Sequence, residues 1–256
     1  MSIRITVEDI APCLIGNTVM ATLTNYGYLL YTLNMLKSLE PFGLDKTMFI
    51  VTMDEKSCRT LTKRGYHAIS VDSAVGLDKF FQWNTKGYDK ICYYKLELIY
   101  RILSLQKNIV LVDGDIVFQS NPIHSINEWN ALDHDVWIQN DGVTDEDTTN
   151  MCTGYMMIRT NEKLIQLYDC ISNTDKYATC VFDNNDQTYF NRYVKSSCTM
   201  LALPLLLYPN GNIFYNMPDI KTNCVLVHFN WVKGHLKMAK MKEHQMWLLT
   251  PEEEYI

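Results

Sequence analysis

Two aspartates that flank one glycine are the residues in this sequence best suited by type and spacing to chemistry. Asp113, Gly114 and Asp115 directly follow an apolar run, residues 109–112. In an extended chain, carboxylates at positions i and i+2 project to the same side, and the glycine lets a ligand approach the backbone. Paired oxygen ligands of this kind suit Mg²⁺ or Mn²⁺, ions that usually also bind substrate phosphates. A solvated Asp-Gly-Asp turn is the alternative that these residues alone leave open.

A short strand must position these carboxylates. Residues 109–112 are apolar throughout and bounded by turn residues, which is typical of a strand buried on both faces in a parallel sheet. In α/β proteins, ligands bind at the carboxyl ends of such strands, where the two aspartates would lie. A predicted helix, residues 93–105, carries Lys95 and leads into this strand.

The N-terminal half predicts a βαβ arrangement. Strands at residues 18–23, 47–52 and 68–71 alternate with helices at 28–40 and 58–64, which indicates a mostly parallel, doubly wound α/β sheet. The phosphate-binding GxGxxG pattern is absent from the first turn, which counts against NAD or FAD.

The C-terminal half is less regular. It predicts strands at 135–139, 153–159 and 225–229, a helix at 162–171, and a short helix capped by an Asn just before Asp186. Four acids between Asp141 and Asp147 lack apolar periodicity, so we expect a mobile loop there. No linker or repeat interrupts the chain, and we expect one domain over residues 1–256.

Composition excludes several classes of protein. The 256 residues are 47% apolar and 20% charged, which indicates a globular chain, and a net charge of −6 argues against a nucleic-acid partner. No apolar stretch is long enough for a transmembrane helix, and acids lie where a signal peptide would be apolar, so we expect a cytoplasmic chain without stable membrane insertion. The eight cysteines form no CxxC and are expected to be free thiols.

Several motifs together resemble a known family. The runs IVLVDGDIVFQSNP, CTGYMMIR, NDQTYFN and HFNWVKGHLK are similar to those of nucleotide-diphospho-sugar glycosyltransferases with the glycosyltransferase A fold. The pattern resembles family 77 most, with family 8 as cousins, over roughly residues 18–247. Some members from large algal viruses also lack a membrane anchor, so a soluble viral member in the host-cell cytoplasm is one option.

The resemblance implies a fold and a metal site. It implies a single-domain α/β protein with a mostly parallel central sheet flanked by helices. A donor-nucleotide half would span about residues 14–122, and a less regular acceptor and sugar half about 123–256. Asp113, Asp115 and His228 match the family's metal ligands, and the imidazole favours Mn²⁺ over Mg²⁺. A histidine satisfied within the core is the alternative for His228.

The remaining motif positions imply donor-binding and catalytic roles. Asp186 and Gln187 match a pair that faces the donor sugar near the anomeric carbon, although a helix start also favours an aspartate. An amphipathic-helix lysine is the alternative for Lys95, and a core tyrosine for Tyr26. Lys233 is a second candidate for a phosphate-binding lysine. The positions implied to bind the donor are Thr22, Asn25, Tyr26, Lys95, Asp113, Gly114, Gly234 and Lys237.

The implied activity is transfer of galactose, xylose or glucose from a UDP-sugar to an acceptor hydroxyl on a glycan or glycoprotein. Families 8 and 77 retain the sugar's configuration, whereas an inverting enzyme would need a base. A nucleotidyltransferase and a non-catalytic sugar-nucleotide-binding module remain alternatives. We also expect residues 230–242, which are rich in lysine, to close over the bound diphosphate as a lid. For the inverting alternative, the residues that could act as the base are Asp141, Asp145, Glu146, Asp147 and Asp183.

Overall fold

The computed structural model describes residues 3–71, 76–82, 85–183 and 185–255. Its strands are β1 (Leu14–Ile15), β2 (Thr18–Thr24), β3 (Phe49–Thr52), β4 (His67–Ser70), β5 (Asn108–Val112), β6 (Ile116–Phe118), β7 (Val136–Asn140), β8 (Met151–Ile158), β9 (Met200–Leu203) and β10 (Leu226–His228). Its α-helices are α1 (Val7–Ile10), α2 (Leu29–Leu39), α3 (Glu55–Lys63), α4 (Lys86–Ser104), α5 (Ile123–Ala131), α6 (Glu162–Tyr168), α7 (Thr174–Asp183), α8 (Asp186–Tyr189), α9 (Gly211–Asn216) and α10 (Gly234–Glu243).

The central sheet has the order β4-β3-β2-β5-β8-β7-β9, with β1 paired to β2. Pairs β2–β3, β3–β4, β2–β5 and β7–β9 are parallel, whereas β8 is antiparallel to both β5 and β7. The predicted mostly parallel α/β fold is confirmed, and the sheet is mixed because β1 and β8 run antiparallel to their neighbours. Sequence patterns did not predict β9, because its short apolar run ends at Pro204.

Strand β5 is buried on both faces, as its apolar run predicts. Ile109 and Leu111 pack with residues of α4 on one face, while Val110 and Val112 pack with residues of α2 on the other. Because successive side chains of a strand point to opposite faces, only a continuous apolar run satisfies both layers. Packing against α4 and α2 therefore fixes the position of the end of β5.

The predicted strand at 225–229 lies outside the central sheet. Its observed part, β10, pairs antiparallel with β6, and His228 lies opposite Ile116. Since Ile116 follows Asp115 directly, this register places the histidine beside the second aspartate. Helix α4 begins at Lys86, earlier than the predicted residue 93, and α6 ends at Tyr168. Within the described ranges, none of the helices combines the length and apolar character needed to cross a bilayer.

Candidate active site

The Asp-Gly-Asp segment is a turn at the end of β5. The Asp113 amide donates a hydrogen bond to the Gly154 carbonyl of β8 at 2.7 Å. A Cβ on Gly114 would lie 2.7 Å from the Thr32 hydroxyl oxygen, too close for any other residue. Helix α2, which carries Thr32, therefore packs directly on the turn and requires the glycine between the carboxylates.

The three predicted metal ligands lie together. Ligand atoms of Asp113, Asp115 and His228 all fall within 4.8 Å of one another. Two carboxylates and one imidazole are a donor set that suits a small divalent cation such as Mn²⁺. The position of the His228 ring also explains the glycine at position 154, because a Cβ there would lie 2.2 Å from the ring. These residues fit a divalent metal.

Gln139 orients the His228 ring. Its buried side-chain amide donates to the carbonyls of Tyr208 and Pro209, at 3.0 and 3.1 Å. Because both hydrogens face carbonyl oxygens, the Gln139 Oε1 faces His228 Nδ1 at 2.7 Å and accepts a hydrogen bond from it. The other ring nitrogen, Nε2, is thereby turned toward Asp115, 3.3 Å from its Oδ1. Sequence patterns did not single out Gln139, which lies in a strand predicted only from its apolar residues.

One half of the site, which we call the Lys95 group, consists of Lys95, Asp113, Asp186 and Thr153. The Lys95 Nζ lies 2.7 Å from Asp113 Oδ1 and 2.9 Å from Asp186 Oδ2, and Thr153 donates to the same Asp186 oxygen at 2.5 Å. Burial and the neighbouring Asp115 raise the pKa of Asp113, against the effect of Lys95. Burial opposes ionisation of Asp186 as well, but Lys95 and Thr153 lower its pKa. Asp186 is therefore held as a carboxylate.

The other half, the Lys237 group, consists of Lys237, Asp115 and His228. Burial opposes ionisation of Asp115, but the Lys237 ammonium, in contact with Oδ2, and the His228 ring hold the pKa of that carboxyl far below its usual range. Burial disfavours a charged imidazole, yet Asp115 raises the pKa of His228 to about 10. The Asp115 oxygens that would bind a cation are thus engaged by two cationic side chains.

Two glycines allow the segment that bears Lys237 to pack closely against the N-terminal half. A Cβ on Gly234 would lie 2.1 Å from the Phe80 ring, and one on Gly27 would lie 2.0 Å from the Phe80 amide nitrogen. The Phe80 ring also stacks on Tyr28, with centroids 5.0 Å apart. Lys237 lies one helical turn beyond Gly234, whereas Lys233 is exposed at the start of α10.

The predicted nucleotide-side residues have structural contacts of their own. Thr22 is fully buried within β2. The Asn25 side chain donates to the carbonyls of Leu77 and Lys79, at 2.7 and 2.8 Å, and tethers that segment. Tyr26 is partly buried, and a lysine, Lys56, lies 3.4 Å from its ring centroid. The roles of Thr22, Asn25 and Tyr26 in donor binding stay predictions.

Gln187 links the site to Asp141. Asn185 caps α8 by accepting from the Thr188 amide, as predicted, which places Asp186 and Gln187 in the first turn. The Gln187 side chain donates to Asp141 at 3.0 Å. Among the other candidate bases, Asp145 and Asp147 accept hydrogen bonds from backbone amides, Glu146 is exposed, and the Asp183 side chain lies outside the described residues.

Thr153 and Gly154 were missed as individual site residues. Both lie in the CTGYMMIR run, so the motif contained the signal, but an extended apolar segment does not show which of its residues faces a ligand. With them, the site offers a cluster that could hold a metal ion, an ionised buried carboxylate and two cations near the end of β5. That combination can hold a charged diphosphate and the hydroxyls of a sugar.

Comparisons with known proteins identify the family. The model of the nucleotide-diphospho-sugar transferase family matches residues 43–243. A UDP-galactose:fucoside alpha-3-galactosyltransferase from Dictyostelium discoideum is 24% identical over an alignment 289 positions long, which covers 93% of this chain and 44% of that protein. The chain therefore spans less than half the length of this curated relative.

Solved structures support the fold. The galactosyltransferase LgtC, in complex with donor and acceptor sugar analogues, superposes with a TM-score of 0.59 at 14% identity, covering 92% of this chain and 98% of LgtC. A glycosyltransferase involved in glycosylation of the PBCV-1 major capsid gives 0.51 at 8% identity, covering 89% and 98%. Mouse xyloside xylosyltransferase 1 gives 0.52 at 13% identity, covering 83% and 97%. The chain belongs to the nucleotide-diphospho-sugar transferase family of enzymes and has the glycosyltransferase A fold.

Proposed function

We propose that this chain transfers galactose from UDP-galactose to a hydroxyl group of a fucoside on a glycan or glycoprotein, with retention of the galactose configuration. The name of the Dictyostelium relative, a UDP-galactose:fucoside alpha-3-galactosyltransferase, supports both the donor and the acceptor class, and LgtC is also a galactosyltransferase. The sequence alone left xylose and glucose open as donor sugars. Retention is carried over from the resemblance to families 8 and 77.

One observation carries the proposal. Asp113, Asp115 and His228 form a cluster that fits a divalent cation, and Asp186 lies against the same Lys95 that contacts Asp113. A diphosphate bound at the cluster would therefore place its sugar beside an ionised carboxylate. A carboxylate accepts hydrogen bonds only, so Asp186 is suited to hold sugar hydroxyls.

Two charges would act on the diphosphate. A divalent cation held by Asp113, Asp115 and His228 would neutralise the negative charge that grows on the departing diphosphate. We favour Mn²⁺ over Mg²⁺ because one ligand is an imidazole. Lys237 would add a point charge from α10 to the same phosphates. Gln187 would lie near the anomeric carbon, oriented by its hydrogen bond to Asp141.

The test is a donor panel with product analysis. Purified chain with Mn²⁺ would be incubated with UDP-galactose, UDP-glucose, UDP-xylose and GDP-sugars, with methyl fucosides of both anomeric forms as acceptors. We expect UDP release from UDP-galactose and a disaccharide of retained configuration by NMR. Asp115→Asn should abolish transfer, whereas the surface variant Asp219→Asn should not.

Other outcomes would replace the proposal. Pyrophosphate formed from UTP and a sugar 1-phosphate would indicate a nucleotidyltransferase. Calorimetric binding of UDP-sugars without release of UDP, across the whole panel, would indicate a binding module. Transfer from UDP-xylose or UDP-glucose alone would keep the reaction class and change the donor.

A further inference from the structure

Asp141 joins a predicted catalytic residue to an exposed aromatic side chain. One carboxylate oxygen, Oδ2, accepts from Gln187 at 3.0 Å and from Asn150 at 2.9 Å. The other, Oδ1, accepts from the Trp231 indole nitrogen at 2.9 Å and from Asn230 at 3.4 Å. The loop was expected to be mobile, but this side chain is held by four donors.

Trp231 combines exposure with an unusual backbone conformation. The residue is 57% exposed, and its φ of 58° lies in the left-handed region that residues other than glycine seldom adopt. Such a conformation is unfavourable for a residue with a side chain and persists only where the surroundings impose it. Here the preceding residue is clamped, since the Asn230 side chain accepts from the Gly211 amide at 2.6 Å and its carbonyl from Tyr215 at 3.0 Å.

The contacts leave the indole ready to bind a ligand. The indole N–H donates to Asp141, so the ring is held at its edge while more than half of the residue's surface stays open to solvent. An aromatic ring offers a rigid apolar surface at a low cost in conformational entropy. The apolar face of a sugar packs on such a surface, and a fucoside adds a methyl group in place of a hydroxymethyl.

We propose that Trp231 is the platform for the acceptor sugar and that Asp141 is the positioning residue that ties this platform to Gln187. This inference rests on the proposed function, because it places the acceptor beside the residue predicted to lie near the anomeric carbon of the donor. One carboxylate would then set the distance between the acceptor platform and the reacting centre.

The experiment separates acceptor from donor binding. In the presence of UDP and Mn²⁺, saturation-transfer NMR would measure binding of methyl fucoside to wild type, Trp231→Ala, Trp231→Phe and the exposed-aromatic control Tyr255→Ala. We expect Trp231→Ala to weaken fucoside binding about tenfold, Trp231→Phe to weaken it less, and Tyr255→Ala to leave it unchanged. Calorimetric UDP affinity should stay within about twofold in all of them.

Steady-state kinetics add a readout for Asp141. Asp141→Asn should raise the KM for methyl fucoside and lower kcat, since its amide can no longer accept from both neighbours, while the KM for UDP-galactose is unchanged. Unaltered fucoside binding in Trp231→Ala, or an equal loss of UDP affinity, would overturn the platform. If wild type binds fucoside through Trp231 but releases no UDP from UDP-galactose, the proposed function fails and the platform stands.

Discussion

Lys95 and Lys237 each neutralise one carboxylate of the Asp-Gly-Asp turn, but they reach it from elements that are packed very differently. Helix α4, which carries Lys95, contacts the central sheet and also helices α6 and α7. It contributes several side chains to the core. Helix α10, which carries Lys237, has only Met241 buried among its described residues. The first lysine belongs to the core scaffold, and the second lies on a surface helix.

Their partners differ in the same way. Lys95 bridges Asp113 and Asp186, so its charge is satisfied by two residues of the protein itself. Lys237 contacts Asp115 alone among acidic side chains of the described residues, and it does so at an oxygen that a metal ion would need. The Lys95 group is therefore preorganised, whereas the Lys237 group would have to rearrange before a cation and a diphosphate could bind.

The strongest test of this difference is Lys95→Met. Removing the ammonium leaves the buried Asp186 and the partly exposed Asp113 without their cationic partner, so we expect a loss of about 3–5 kcal/mol in the free energy of unfolding. Transfer should fall by at least about 1000-fold, because Asp186 would then be repelled by Asp113. Urea unfolding and UDP release measure the two effects. Lys90→Met, on the exposed side of the same helix, is the control and should change neither.

Asp186→Asn tests whether the Lys95 group acts on the donor sugar separately from binding of UDP. The variant keeps the shape of the side chain but loses the charge that would hold sugar hydroxyls, at a cost of about 2–4 kcal/mol in the transition state, or about 30- to 1000-fold in rate. UDP affinity, measured by calorimetry, should be retained. A collapse of UDP binding in a folded variant would contradict the sugar-side role.

Metal removal tests the Lys237 group. Chelation should weaken UDP binding about 100-fold, because Asp113 and Asp115 then face the diphosphate without a divalent cation. The melting temperature of the nucleotide-free protein should not change, since Lys237 and His228 already neutralise Asp115. Equal UDP affinity with and without chelator would remove the metal from the proposal.

Gln139→Leu tests whether the ring orientation of His228 matters. The variant loses the acceptor for Nδ1 and the amide that donates to the Tyr208 and Pro209 carbonyls, so Mn²⁺ affinity should fall about 10- to 100-fold. Electron paramagnetic resonance titration of Mn²⁺ measures this directly. Gln166→Leu, on the exposed side of α6, serves as the matched control. Unchanged Mn²⁺ affinity would mean that packing against Gly154 alone orients the ring.

Lys237→Ala should have the smallest effect, and it should change UDP affinity and Mn²⁺ affinity in opposite directions. UDP affinity falls only about three- to tenfold, because the lysine must leave Asp115 before it can contact phosphate. Mn²⁺ affinity without UDP should rise, since a competing cation is gone. A fall in Mn²⁺ affinity would show that both lysines belong to the scaffold.

Hydrogen exchange across residues 230–242, with and without UDP and Mn²⁺, checks the predicted lid.

Local sequence determined the chemistry at single strand and helix ends. The apolar run before Asp113 predicts a strand buried on both faces, because each face must contact a packed helix. The motif around Asp186 places a carboxylate in a first helical turn, and Asn185 is a cap of the expected type. These features depend on residues within one or two turns of each other, so the sequence displays them directly.

Tertiary structure alone decided how those ends combine. The β6–β10 register brings His228 to Asp115, Lys95 bridges two aspartates from different elements, and Asp141 joins Gln187 to Trp231. Hydrophobic periodicity predicts which face of a strand is buried, but it contains no information on which distant strand will pair with it. Polar partners separated by tens to hundreds of residues are chosen by packing of the whole core. For that reason Gln139 became a site residue only in the folded chain, and Asp141, a candidate base in the sequence, gained its link to Trp231 only there.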